Sequence, residues 1–139
     1  MSAGRLQVLV LDDEPIVGKR LKAALEKSGY EVETFEDARE ALRRSDEKTF
    51  DIIVTDVRME EVDGLQVLEH VLAKSDRSKV IVITGYATVE VAREALAKGA
   101  FDFIAKPFKP RDLLETVVKA AGDLGVRLTL PEPSAAADA

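Results

Sequence analysis

The chain has 139 residues, 46% hydrophobic and 33% charged, the proportions of one globular domain that can bury a core of its own. No cysteine and a single histidine exclude disulfides, iron–sulfur clusters, thiolate zinc sites and cysteine nucleophiles, so any metal must be held by oxygen. A net charge of −6 opposes direct nucleic-acid binding, no apolar run approaches the ~20 residues of a membrane span, and the start lacks a signal-peptide layout, so the expected location is the cytoplasm.

Gln7–Leu11 is an apolar run that ends in Asp12, Asp13, Glu14 and Pro15, a strand followed by a helix start. Ile16, Val17, Leu21, Ala24 and Leu25 recur at helical spacing until Gly29 supplies a stop. Glu31–Phe35 alternates as a second strand, and Asp37 to Glu40 resembles a capping box opening a helix through about Asp46. In Phe50–Met59 the β-branched block Ile52, Ile53, Val54 suits a strand covered on both faces, with Asp56 at its carboxyl end. After the polar stretch Arg58–Asp63, a helix over Gly64–Lys74 carries Leu65, Leu68 and Leu72 on one face. Val80–Thr84 is a fourth strand. Thr88 caps a helix reaching Lys98, with Val89, Ala92 and Leu96 as its expected inner stripe and Gly99 as its breaker. Phe101–Ala105 is the fifth strand, Lys106-Pro107-Phe108 turns the chain, and Pro110–Ala121 forms a last helix burying Leu113, Leu114, Val117 and Val118. Residues 1–5 read as a disordered start, 6–122 as one domain, and 123–139 as a flexible tail or the start of a linker.

Strands alternating with helices imply a doubly wound, five-stranded parallel α/β sheet, and in such sheets ligands collect outside the carboxyl ends of the strands. That rim receives Asp12 and Asp13 after the first strand, Asp56 after the third, Thr84 after the fourth and Lys106 after the fifth. Asp56 alone would read as a turn or cap acid; its company changes the reading. Several carboxylates close together stay ionised only around a cation, and oxygen-only ligation with open positions suits Mg²⁺, which pairs with phosphate oxygens. Lys106 adds an ammonium and Thr84 a hydroxyl, so the set matches phosphoryl transfer with Asp56 as nucleophile.

These residues resemble the receiver domains of two-component response regulators over roughly Leu6 to Ala121. The motifs that carry the likeness are the Asp12–Asp13 pair, Val54-Thr55-Asp56-Val57, Ile83-Thr84-Gly85 and Lys106-Pro107-Phe108. The resemblance implies a flavodoxin-like strand order 2-1-3-4-5. It implies that Asp56 takes phosphate from a sensor histidine kinase, a phosphotransfer protein or a small acyl phosphate. Asp13, Asp56 and the backbone carbonyl of Arg58 would ligate Mg²⁺, with Asp12 helping through water. Thr84 and Lys106 would bind phosphoryl oxygens, Thr84 and Phe103 would switch, and Lys106–Pro107 would be a cis peptide. The face built from the fourth helix, fifth strand and fifth helix would shift and could form a homodimer.

Three positions depart from the commonest family pattern. Met59 is followed by Glu60 where a proline is typical, Arg58 places a long cation beside the phosphoacceptor, where it could pair with Glu14 or Glu60, and Phe103 is an aromatic without a hydroxyl. A Mg²⁺-dependent aspartyl-phosphate phosphatase would use the same nucleophile but normally carries a second acid two residues on, where Arg58 stands. A receiver-like fold used only for docking would not need the complete set of Asp12, Asp13, Thr84 and Lys106. His70 reads as a solvated helix residue, and Asp51 and Asp102, at strand starts, carry no chemistry in this reading.

Overall fold

A computed structural model of the chain describes residues 5–57, 64–75, 77–85 and 89–124. Its elements are β1 (Gln7–Leu11), α1 (Pro15–Lys27), β2 (Glu31–Phe35), α2 (Ala38–Glu47), β3 (Ile52–Asp56), α3 (Gly64–Lys74), β4 (Lys79–Thr84), α4 (Val89–Ala97), β5 (Asp102–Ala105) and α5 (Pro110–Asp123). The strands form one parallel sheet in the order β2-β1-β3-β4-β5, the order the family resemblance implied.

Side chains alternate across a strand, so each central strand feeds two cores. Val8, Val10, Ile52, Val54, Ile81 and Ile83 pack with Leu21 and Leu25 of α1 and Leu113 and Val117 of α5. Leu9, Leu11, Ile53, Val80 and Val82 pack with Ala41 of α2, Val67, Leu68 and Val71 of α3 and Ala95 of α4. Each fully buried aliphatic side chain contributes about 1.5–3 kcal/mol, and the sandwiching of β1, β3 and β4 between helical layers fixes where their carboxyl ends lie.

Three helical details differ from expectation. The inward face of α3 includes Val67 and Val71 besides Leu68, while Leu65 and Leu72 are only partly buried. On α4 the fully buried residue is Ala95, with Val91 packed beside it, and Leu96 is 49% exposed. A small residue lets the short α4 lie close to the sheet, which turns the bulkier Leu96 outward. α5 runs to Asp123, past the expected end, Leu124 packs against the core, and Val118, expected inside, is only partly buried because Leu113, Val117, Ala120 and Ala121 take the inward face. Thr88 and Asp63 lie outside the described residues, as does the tail from residue 125. No described helix is long and apolar enough to cross a membrane.

Candidate phosphoryl-transfer site

The carboxyl rim is held by backbone hydrogen bonds that continue the sheet one residue beyond its strands. Asp12 N–H donates to Phe35 O at 3.1 Å, Val57 N–H to Ile83 O at 2.9 Å and Lys106 N–H to Thr84 O at 2.8 Å. Asp12, Asp56, Thr84 and Lys106 therefore stand where the pleat places them. The parallel register sets Asp56 beside Ile83 and Thr84 beside Ala105. The Lys106–Pro107 peptide is cis.

Three carboxylates converge. Asp12, Asp13 and Asp56 each offer an oxygen, and these atoms lie within 4.8 Å of one another, with Asp12 and Asp56 buried and Asp13 exposed. Lys106 Nζ reaches into the cluster, 2.8 Å from Asp56 Oδ2 and 3.0 Å from Asp12 Oδ2, and also 3.0 Å from Glu14 Oε1. The contacts to Asp56 and Glu14 are hydrogen bonds. The approach to Asp12 Oδ2 lacks hydrogen-bond geometry, so that buried oxygen has charge beside it but no donor. Its other oxygen, Oδ1, accepts from Glu14 N–H at 2.9 Å.

Burial pushes the Asp12 carboxyl above its ordinary range. The negative charge of Asp56 adds to that effect, against the Glu14 N–H and Lys106, which act to lower it. For Lys106 burial works against the charged form, but the hydrogen bonds to Asp56 and Glu14 and the negative charge of Asp12 beside it prevail and hold it protonated. The cluster thus carries more negative than positive charge in a water-poor setting, and an acceptor without a donor faces into it. That is what an oxygen-ligated cation would relieve, so the residues present fit a divalent metal.

Of the other expected site residues, Thr84 is fully buried at the end of β4. Phe103 lies on the edge strand β5, half-buried against the core of α2, α3 and α4. Arg58 and Tyr86 lie outside the described residues. His70 is partly exposed and its Nε2 lies 2.9 Å from Asp46 Oδ1, joining α3 to α2 away from the rim. Asp51 and Asp102 sit at the opposite rim, each accepting a backbone N–H, from Gln7 and Phe103.

Two rim residues escaped the sequence reading. Glu14 entered only as one of two acids that Arg58 could pair with, and Arg58 lies outside the described residues; the structure sets Glu14 on Lys106, a pairing across 92 positions that no local pattern announces. Gly64 begins α3 directly against the backbone of the β3 terminus. Its N–H donates to Val57 O at 2.9 Å, and a Cβ there would stand 2.2 Å from the carbonyl oxygen of Asp56. The only sequence hint was a glycine opening a helix, where a cap residue is more usual.

Comparison with known proteins agrees with this geometry. The response regulator receiver domain family matches residues 8–118. The transcriptional regulatory protein ZraR of Salmonella typhimurium is 36% identical over 137 residues, covering 98% of this chain, and the chain spans 31% of that protein. The crystal structure of a CheY-like receiver domain protein from Methanospirillum hungatei is 31% identical with a TM-score of 0.84, over 88% of this chain and 98% of that one. The beryllofluoride-activated NtrC4 receiver domain dimer is 39% identical with a TM-score of 0.80, over 85% and 98%.

Proposed function

The chain belongs to the response regulator receiver family, whose function is to accept a phosphoryl group in two-component signalling, and from that we propose that Asp56 is its phosphoacceptor. The observation that carries the assignment is the buried Asp56 carboxylate 2.8 Å from the Lys106 ammonium, with Asp12 and Asp13 within ligand distance. Asp12, Asp13 and Asp56 would hold Mg²⁺, and the family likeness adds the Arg58 carbonyl. The bound ion would supply positive charge to the phosphoryl oxygens.

The Asp56 carboxylate has no proton to lose and needs no partner base. A bond forms from its oxygen to phosphorus while the P–N bond of a phosphohistidine, or the P–O bond of an acyl phosphate, breaks and the leaving group keeps the electron pair. Lys106 and Thr84 meet the charge that spreads over the transferred oxygens. Sequestered behind the rim, the same residues would also govern hydrolysis of the acyl phosphate, so the chain catalyses its own loading and unloading. The donor is a sensor histidine kinase or a phosphotransfer protein in the cytoplasm.

The readout follows from where the ligands of the phosphoryl group are anchored. Thr84 ends β4 and Lys106 follows β5, so a pull on either moves α4, β5 and the start of α5. Phe103 can repack within that face, and the exposed Leu96 on α4 offers apolar surface for a homodimer or for an output region. Residues 6–122 would form the receiver, with the following segment joining it to the transcription machinery its relatives are named for.

Incubation with Mg²⁺ and acetyl phosphate, followed by mass spectrometry of the wild type and Asp56→Asn, tests the assignment. A stoichiometric adduct on Asp56 that the variant lacks supports it. Turnover of acetyl phosphate without an adduct points to a phosphatase, and no adduct at all leaves a docking domain.

A further inference from the structure

Glu14 is the N-cap residue of α1, yet its side chain makes no cap hydrogen bond. Instead Asp12 Oδ1 takes the Glu14 N–H, and the Glu14 carboxylate, 60% exposed, reaches Lys106 Nζ at 3.0 Å. Water could solvate that carboxylate without any partner. The buried Asp12 Oδ2, at the same distance from the ammonium, has no hydrogen-bond donor. An exposed acid therefore takes a hydrogen bond that a buried acid lacks, and Lys106 is drawn toward the mouth of the site.

We propose that Glu14 is a positioning residue that competes with the phosphoryl group for Lys106 and so sets how tightly the rim takes a phosphoryl ligand. The proposal rests on the reading of Asp56 as phosphoacceptor. An incoming phosphoryl group brings further negative oxygens to an ammonium that already has carboxylates at 2.8, 3.0 and 3.0 Å. Serving them turns Lys106 away from Glu14, whose carboxylate then faces the new charge with its pairing weakened. Both consequences raise the loaded state relative to the empty one, which keeps the Glu14–Lys106 bond. Glu14 thereby favours the unphosphorylated switch without touching the reacting atoms.

Beryllofluoride with Mg²⁺, titrated calorimetrically into the full chain, reads the loaded state without turnover. In Glu14→Gln the half-saturating beryllofluoride concentration should fall by about two- to five-fold, the range of an exposed ion pair, with a smaller change at high salt. The thermal midpoint of the unliganded protein should move little, because the side chain makes no cap bond and its pairing with Lys106 is made by an exposed carboxylate. Glu14→Asp keeps the charge but shortens the reach, and should fall between the wild type and Glu14→Gln. An unchanged half-saturation in Glu14→Gln, or a Glu14→Asp protein that titrates like the wild type, overturns the proposal. Failure of the underlying reading looks different: the wild type itself then takes up no beryllofluoride and gains no phosphate on Asp56.

Discussion

The two rims of the sheet use similar residues to opposite ends. At the amino rim each acid is matched locally: Asp51 accepts the Gln7 N–H at 2.7 Å, Asp102 the Phe103 N–H at 2.7 Å, and Lys79 pairs with Asp123 at 2.7 Å while lying over the Phe101 ring. At the carboxyl rim three carboxylates crowd one ammonium, and Asp12 Oδ2 is buried without a donor. One rim is settled by its own contacts. The other remains charge-imbalanced until something positive arrives, and that imbalance separates a site from a structural cluster of the same composition.

A methyl group on a glycine of each rim should break the comparison most sharply. At Gly64 it would overlap the Asp56 carbonyl at 2.2 Å, and backbone cannot swing aside as a side chain can. Gly64→Ala should cost about 2–3 kcal/mol in urea unfolding and slow phosphate uptake from acetyl phosphate as well. Gly99, beyond α4 at the amino rim, has φ +105 and would press a Cβ against Leu72 Cδ1 at 2.7 Å, a movable side-chain tip. Gly99→Ala should cost about 1–2 kcal/mol for the left-handed backbone and leave the uptake rate intact. Equal uptake rates in the two variants would remove Gly64 from any role in the site.

Gly64 marks how far the sequence reaches. Asp12, Asp13, Asp56, Thr84 and Lys106 were legible because each follows a strand-like, largely apolar run, and a parallel sheet carries all such ends to one rim. The central strands β1, β3 and β4 were legible for the same reason: covered on both faces, they leave continuous hydrophobic blocks, whereas β2 at the edge showed by alternation. Contacts that depend on how closely elements approach leave no periodic trace. Gly64 over the β3 terminus and Glu14 on Lys106 are of that kind, as is Leu96, which apolar spacing put inside until the small Ala95 proved to be the contact that seats α4.

Substituting one acid on each rim should give stability changes of opposite sign. Asp51→Ala removes the acceptor of a partly buried N–H and should lower unfolding free energy by about 1.5 kcal/mol. Asp12→Asn keeps an acceptor for the Glu14 N–H but removes a buried charge, and in the absence of Mg²⁺ should raise stability by about 1 kcal/mol. The pH dependence identifies the cause. Burial, ahead of any other influence, places the folded Asp12 carboxyl above its ordinary value of 3.8, so the native state holds this proton longer than the unfolded chain does. That contribution makes stability decline as pH rises from about 3.8 through the raised folded value, and is constant above it. Urea melts of wild type and Asp12→Asn should therefore lie together at the acid end and separate as pH climbs. A gap that stays constant with pH would show that packing, not charge, accounts for the gain.

The smallest effect is expected where the amino rim has its own exception. The Tyr30 hydroxyl, just before β2, is buried without a partner, and burial raises its pKa above the ordinary phenol value. The difference from Asp12 Oδ2 is charge: a neutral hydroxyl forfeits one hydrogen bond with water, whereas a carboxylate also forfeits its ionic solvation. Tyr30→Phe keeps the ring that fills the core beside Leu25 and Val32 and discards only the orphaned oxygen. It should be neutral to stabilising by about 0.5–1 kcal/mol, with no dependence on Mg²⁺ and none on pH below the phenol range. A clear loss of stability would mean that an ordered water satisfies the hydroxyl. The amino rim would then have no unmet polar group among the described residues, and the contrast with the acid-crowded rim would grow sharper.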